Sequence, residues 1–443
     1  MRFGWLARTL AVLVGLALVS AALLLLAWKP ALAPEYRPKD SFATSLVAKG
    51  AQLAAIGNCR TCHTSNGGTP YAGARPIETP FGTIYSTNIT PDRETGIGGW
   101  SEAAFTRAMR EGVSRDGHHL YPAFPYDHMT RMRDEDIAAV YAFVMTRAPV
   151  AARIPANELP FPLNFRPLVA GWKLLFLDRG VTVASPLENA EWNRGAYLVE
   201  GLAHCGACHT PRNLLGAEKR HEAYAGGISE GWTAPALNAA SPAPVPWDAE
   251  RLHRYLKGET EPLHGIAAGP MMPVVKNLSI VADDEVRAIA TYVAAIAGVP
   301  TVQRRLAAEG TLARATHGRS TSFVADASDG AMLYAGACAQ CHGEAGRAPA
   351  VRALNLALSS VLRIDTADNA VRIIRHGIQS AEDEGVPVMP GFAGLLSDAQ
   401  IKALVAHLRS HFTERPPWTD IDEAIARARR DDNKDAQLAR MPQ

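Results

Sequence analysis

Three stretches of the chain carry the same apolar stripe. Ile137, Val140, Tyr141 and Val144 form the first; Val286, Ile289, Ala290 and Val293 the second; Ile401, Leu404, Val405 and Leu408 the third. Each set falls at i, i+3, i+4 and i+7, the spacing that lines one face of an amphipathic helix. Acidic or hydroxyl residues stand at each start (Asp134, Asp283, and Ser397 with Asp398), as expected of N-caps. Well upstream of each stripe a glycine leads a short apolar pattern: Gly50-Ala51-Gln52-Leu53, Gly195-Ala196-Tyr197-Leu198 and Gly330-Ala331-Met332-Leu333. These read as short helices. Between the two lies a third predicted helix, ending at Glu111-Gly112, Lys257-Gly258 and His376-Gly377, where glycine suits a helix C-terminus.

The repeated order predicts an all-α protein of three tandem units, at residues 44–148, 191–298 and 327–414. Residues 149–190 join the first two. They are proline-rich, with aromatics around Trp172, and are expected to pack on a neighbour. Residues 299–326 are rich in Arg, Ala, Ser and Thr and read as a flexible linker. Pro416-Pro417-Trp418 ends the last helix, leaving 415–443 as a charged tail in which Ile421 and Ile425 permit a short helix.

The apolar pattern is of another kind at the N-terminal end. Residues 9–28 are apolar apart from Thr9 and Ser20. Twenty residues at about 1.5 Å each span roughly 30 Å, a bilayer core. Trp5 and Trp28 flank the run, and Arg2 and Arg8 precede it. Residues 1–30 are therefore expected to form a transmembrane anchor. Positive charge would stay in the cytoplasm, with the remaining domains facing the periplasm. The alternative is a signal peptide cleaved after Ala31-Leu32-Ala33.

The six cysteines change the picture most. All belong to one pattern, Cys-x-x-Cys-His: Cys59, Cys62 and His63; Cys205, Cys208 and His209; Cys338, Cys341 and His342. Each copy follows one of the short glycine-led helices. This is the attachment signature of c-type haem. On a helix, positions i, i+3 and i+4 share a face, so both sulfurs and the imidazole address one macrocycle. A zinc site would bring two such pairs close together in sequence. A redox dithiol would need no trailing histidine, and disulfides would not explain three identical spacings. Three covalent haems are expected, each with a histidine on iron.

A second axial ligand closes a haem iron to substrate, and methionine sulfur raises its potential. In the third unit Met389 lies twelve residues after Gly377. In the second, Met271 lies thirteen after Gly258; it is taken over its neighbour Met272. In the first unit the corresponding position is Phe124, which has no lone pair to give. Candidates nearby are His118, His119, His128, Met129 and Met132, of which His128 is taken, giving bis-histidine iron.

Over 443 residues the formal charge is +1, which supports neither nucleic-acid binding nor a polybasic membrane patch. No Ser-His-Asp set, nucleotide-binding glycine loop or paired carboxylates stand out, so substrate chemistry is expected to reside in a partner.

The chain resembles the three-haem cytochrome c subunits of membrane-bound bacterial dehydrogenases. The likeness covers nearly the whole chain. It rests on the three motifs in order, Thr87-Asn88-Ile89-Thr90-Pro91-Asp92 with Gly98-Gly99-Trp100, His119-Leu120-Tyr121-Pro122-Ala123, and the Gly269-Pro270-Met271 and Val388-Met389-Pro390 loops. The resemblance implies an electron-transfer subunit that takes electrons from a catalytic dehydrogenase (molybdenum hydroxylase, flavin or quinone type) and passes them to ubiquinone or the respiratory chain. It supports Met271 and Met389 as ligands. Where many members have Ala-Met-Pro this chain has Ala123-Phe124-Pro125, a variant resembling the branch paired with molybdenum hydroxylases. The competing expectations are a multihaem peroxidase using the first haem as an open site, and a haem subunit of a terminal oxidase.

Overall fold

A computed structural model of the chain describes residues 27–317, 328–343, 349, 351–379 and 387–438, with positions 8, 10 and 12–15. Among them no single helix is long and apolar enough to cross a membrane. The expected span at 9–28 lies mostly outside the described residues. The chain forms two compact units: Met1–Val183 with Glu200–Leu202, and Ala184–Val199 with Ala203–Gln443. The second and third haem motifs thus share one unit.

In the first unit the helices are α1 (Thr44–Ile56), α2 (Cys59–Cys62), α3 (Glu102–Glu111), α4 (Tyr126–Met129), α5 (Asp134–Met145) and α6 (Leu168–Phe176). Helix α5 carries the first stripe, and Ile137, Val140, Tyr141 and Val144 are all buried. It crosses α1 at Gly50, where a Cβ would lie 2.8 Å from Phe143 Cβ and closer still to the Ala139 carbonyl. Only glycine lets two backbones approach this far. Helix α3 begins at Ser101, whose hydroxyl accepts from Ala104 N, and stops at Gly112 in the left-handed region.

The second unit contains α7 (Ala190–Tyr197), α8 (Gly206–His209), α9 (Ala249–Leu256), α10 (Met271–Ser279), α11 (Asp283–Ala297), α12 (Val302–His317), α13 (Asp329–Ala337), α14 (Ala339–His342), α15 (Asp368–His376), α16 (Asp398–Phe412) and α17 (Ile421–Leu438). The glycine crossing recurs twice. A Cβ on Gly195 of α7 would lie 2.7 Å from Tyr292 Cβ on α11, and one on Gly330 of α13 would lie 2.8 Å from His407 Cβ on α16.

Several expectations are corrected. Asp134 and Asp283 are the first helical residues of α5 and α11, and neither caps its helix. Their carboxylates are held by Arg110 and by His253 Nε2 at 2.8 Å. Ser397 does cap α16, in a reciprocal box with Gln400. The protein is mostly helical, but its described residues also include three antiparallel strand pairs: β1 (Pro76–Thr79) with β2 (Gly82–Tyr85), β3 (Gly227–Ser229) with β4 (Trp232–Ala234), and β5 (Ile378–Gln379) with β6 (Pro387–Met389).

Much of the expected flexible linker is the sixteen-residue helix α12; residues 318–327 lie outside the described chain. Alanine, arginine and leucine favour helix, and Ala308, Thr311 and Ala315 recur near helical spacing and are buried. Helix α12 ties the second motif region to the third. Arg304 donates to the Ala239 and Ser241 carbonyls at 2.7 and 2.8 Å, and Asn355 Nδ2 donates to Ala315 O at 2.8 Å. Thr233 and Asn369 add a reciprocal pair of hydrogen bonds, 2.9 and 2.8 Å long.

The expected charged tail is instead the eighteen-residue helix α17. Trp418, Ile421, Ala424, Ile425 and Ala428 are buried in the core formed by α15 and α16. Arg427 forks onto the Asp368 carboxylate at 2.7 and 2.9 Å. The core around the third haem motif therefore takes in residues well past 414.

Candidate haem centres

Each Cys-x-x-Cys-His motif occupies one helical turn. The amide of the histidine donates to the carbonyl of the first cysteine at 3.0 Å in His63–Cys59, 3.0 Å in His209–Cys205 and 2.9 Å in His342–Cys338. The i, i+3, i+4 placement required of two sulfurs and an imidazole is thus built into the backbone.

The strongest geometric sign lies in the imidazoles. His63 Nδ1 is 2.7 Å from Thr87 O, His209 Nδ1 is 2.7 Å from Pro235 O, and His342 Nδ1 is 2.7 Å from Leu354 O. A carbonyl can only accept, so Nδ1 carries a proton in each ring, and in the neutral imidazole Nε2 is left with its lone pair. Such a bond fixes tautomer and orientation in metal-ligating histidines and raises ligand basicity. Burial also draws the pKa of His63 and His209 below the usual imidazole value, which favours the neutral form that binds iron.

The carbonyls are delivered by the same local device in the first two centres. The His63 carbonyl accepts from Gly73 N and that of His209 from Gly226 N, both at 2.8 Å. Both glycines have positive φ, +80° and +93°. A Cβ on Gly73 would lie 2.6 Å from the Thr87 carbonyl oxygen. Thr87 opens the Thr-Asn-Ile-Thr-Pro-Asp segment, whose Asn88 donates to Val150 O at 2.7 Å. That segment supplies the carbonyl partner of the proximal histidine.

The cysteines lie unevenly: Cys62 and Cys341 are exposed and the other four partly buried. Burial pushes the Cys59 thiol up to about 12, with Cys62 adding to the effect, and also raises Cys208 and Cys338. These thiols stay protonated at neutral pH, which slows stray oxidation. A thioether has no proton to lose, so attachment removes this penalty.

Among candidate sixth ligands, Met271 is the first residue of α10. It follows Gly269, whose φ of +55° sets the loop against the Trp232 ring; a Cβ there would lie 2.6 Å from the indole. Met389 ends β6 and pairs with Ile378, beside Gly377. Phe124 holds the matching place in the first unit, its ring edge-on to Tyr126 at 6.2 Å. His119 is fully engaged: Nδ1 accepts from Lys173 Nζ at 3.0 Å and Nε2–H donates to Ala27 O at 2.7 Å. Met129 and Met132 are buried, and His118 is exposed. His128 is buried on α4 with Nδ1 2.9 Å from Glu200 O.

Lys173 was not singled out in the sequence, yet it organises this loop. It comes from α6, where it is one of two buried residues. Its Nζ donates to Glu111 O and Gly112 O at 2.7 and 2.6 Å, closing the end of α3, and sits 4.8 Å from the Tyr126 ring centroid. Burial, reinforced by Arg179, draws its pKa down to about 7. A lysine in a run as apolar as 168–176 was the available signal.

Residues 47–148 match the family model described as cytochrome c, and 325–408 match that of cytochrome c oxidase, cbb3-type, subunit III. The second match covers a single haem-motif region. Over 386 residues the chain is 35% identical to the fructose dehydrogenase cytochrome subunit of Gluconobacter japonicus, covering 83% of this chain and 79% of that one. It is 34% identical to the gluconate 2-dehydrogenase cytochrome c subunit of Pantoea cypripedii, over 90% of this chain and 92% of the relative. Identity reaches 45% with a nicotinate dehydrogenase subunit of Pseudomonas putida over 91% of this chain, which spans only 34% of that longer protein.

Proposed function

This chain belongs to the cytochrome c subunits of dehydrogenase complexes, and on that premise we propose that it holds three haems in series and carries single electrons from a catalytic partner to ubiquinone or another respiratory acceptor. As a family member it is an electron-transfer subunit with covalent haem c, and substrate oxidation belongs to its partner. Bound haem c supplies a one-electron iron couple whose potential follows axial ligation and burial.

The chain's own residues supply the rest. Cys59, Cys62, Cys205, Cys208, Cys338 and Cys341 would hold the porphyrins. His63, His209 and His342 would present Nε2 to iron, each oriented by its carbonyl. Met271 and Met389 would supply sulfur from loops set by Gly269 and Gly377. For the first centre His128 is proposed, because its Nδ1 rests on a carbonyl as the proximal rings do. The observation that carries three centres is the threefold recurrence of the 2.7 Å Nδ1–carbonyl bond.

Residues 9–28 are proposed to anchor the chain in the inner membrane, with the haem regions on the periplasmic side. The identity to a nicotinate dehydrogenase subunit, together with Phe124, supports a molybdenum-hydroxylase partner acting on an N-heteroaromatic or aldehyde substrate. The test is haem content after expression with an intact maturation system. Three haems per chain in a pyridine haemochrome assay, and a denatured mass heavier by three haems, are expected. Two per chain would refute the three-centre reading.

A further inference from the structure

Helix α6 is inside out. Its nine residues, Leu-Val-Ala-Gly-Trp-Lys-Leu-Leu-Phe, contain a single charge, and that charge, Lys173, is turned into the protein at 7% exposure alongside Val169. The opposite face presents Leu168, Gly171, Leu174 and Leu175, with Leu174 82% and Leu175 70% exposed. A surface helix of a water-bathed domain arranges itself the other way, with charge outward and leucine inward. The segment leading into α6 continues the theme: Phe161 and Phe165 are exposed as well. Exposed apolar side chains gathered along one short segment mark a site of association.

What covers it follows from where α6 is fastened. Its Lys173 donates to His119 Nδ1, Arg166 donates to His119 O at 3.0 Å, and His119 Nε2 donates to Ala27 O. Ala27 and the exposed Trp28 end the apolar run of residues 9–28. The chain leaving that run is pinned further where Arg107 donates to Pro30 O at 2.8 Å and Leu32 N donates to Arg115 O at 2.8 Å. One histidine therefore joins α6 to the last residues of the proposed anchor, so the point where the chain would leave the bilayer and the leucine face lie on the same part of the first unit.

We propose that the outer face of α6, with Phe165 and Trp28, rests in the headgroup–acyl boundary of the phospholipid bilayer as an interfacial helix beside the anchor. This depends on the anchor reading of residues 9–28. Leucine and phenylalanine enter the acyl boundary, and a tryptophan ring suits the headgroup level. The consequence is orientation. Through Lys173 and Tyr126 the distal loop of the first centre is held directly behind the membrane-facing helix, which fixes which side of that centre is turned toward the quinone pool.

The test uses the full haem-loaded chain in liposomes of phosphatidylethanolamine and phosphatidylglycerol doped with a phospholipid bearing a diazirine on its acyl chain. After illumination, lipid adducts are mapped by mass spectrometry. Adducts are expected on residues 9–28, on Leu174 and Leu175 and on Phe165, with none on the exposed loop around Glu94. The double variant Leu174→Glu/Leu175→Glu, with its haem spectrum intact, should lose the α6 adducts and keep those at 9–28. Adducts at 9–28 with none on α6 would overturn the proposal while leaving the anchor standing. Absence of both would remove the anchor reading and the proposal with it. Cross-links from α6 to the catalytic dehydrogenase in the whole complex, without lipid adducts, would put protein there instead and also overturn it.

Discussion

Replacing Gly195 by alanine is expected to destabilise the protein even though alanine is the better helix former. The added Cβ would lie 2.7 Å from Tyr292 Cβ and 2.8 Å from the Ala288 carbonyl carbon, with its oxygen nearer still. Carbon–carbon contacts settle at about 3.5–4.0 Å, so α7 and α11 must part by about 1 Å. No rotamer change relieves this, because the obstacle is backbone. Overpacking of this kind costs about 1–3 kcal/mol, and a rigid obstacle belongs at the upper end. The helix-propensity gain of alanine over glycine offsets about 1 kcal/mol, leaving a net loss of about 2 kcal/mol. Gly336 in α13 is the control, since a Cβ there meets nothing within 4 Å. The same substitution at Gly336 should stabilise by up to about 1 kcal/mol. Guanidinium unfolding of the haem-loaded protein, followed by tryptophan fluorescence and haem absorbance, measures both. If Gly195→Ala shifts the midpoint upward or matches Gly336→Ala, the close-crossing argument is wrong. Gly50→Ala and Gly330→Ala should behave as Gly195→Ala does.

Three further expectations concern ligands, the C-terminal helix and acid stability. Met271→Ala and Met389→Ala should each remove the sulfur–iron charge-transfer band of one centre and lower its potential in a redox titration, and His128→Ala should turn the first centre from low-spin to high-spin; a first centre unchanged in resonance spectra would exclude His128. Trp418→Ala should cost about 3–5 kcal/mol in denaturant unfolding, since Trp418 is buried and its Nε1 donates to Ile364 O at 2.8 Å; a loss under about 0.5 kcal/mol would return 415–443 to a surface tail. His264 stacks on Trp247 at 3.5 Å with both ring nitrogens unpaired, and burial, with Arg251 adding to it, holds its pKa near about 3 against 6.5 in the unfolded chain. Its neutral form is favoured by folding, so its contribution is complete above pH 6.5 and declines by up to about 1.4 kcal/mol per unit as pH falls toward 3. His264→Phe should flatten that slope, and parallel pH profiles for the two proteins would refute it.

What could be read in the sequence, and what could not, divides along a physical line. The stripes of α5, α11 and α16, the glycine stops after α3, α9 and α15, and the three motif turns depend on neighbours within one or two helical turns, and all were legible. So were Gly50, Gly195 and Gly330 as recurring positions, although nothing local says that a second backbone lies against them. The failures are long-range. Asp134 and Asp283 look like caps until Arg110 and His253 are seen to hold their carboxylates. Residues 302–317 look flexible until Ala308 and Ala315 find partners, and 421–438 look like a solvated tail because Ile421, Ala424, Ile425 and Ala428 form a thin stripe among many charges. Trp418 should have weighed more, since an indole in a charged segment is costly to leave in water.

Lys173 is the most instructive case, because the usual pattern for such a residue points the other way. A lone lysine in an apolar helix is ordinarily the solvent-facing residue, with its neighbours inside. Here three acceptors, Glu111 O, Gly112 O and His119 Nδ1, converge on one buried point. A buried ammonium is tolerated where such acceptors replace water. Once Lys173 is inside, helical geometry forces Leu174 and Leu175 out, since residues one and two positions on lie about 100° and 200° around the axis. The exposure of the leucines is therefore not an independent oddity but the consequence of the lysine's burial. A chain selected for water alone would have relieved it by exchanging Leu174 or Leu175 for a polar residue, which neither the α3 carbonyls nor His119 would oppose. That the leucines stand is the reason to look for an apolar phase on that side of the helix.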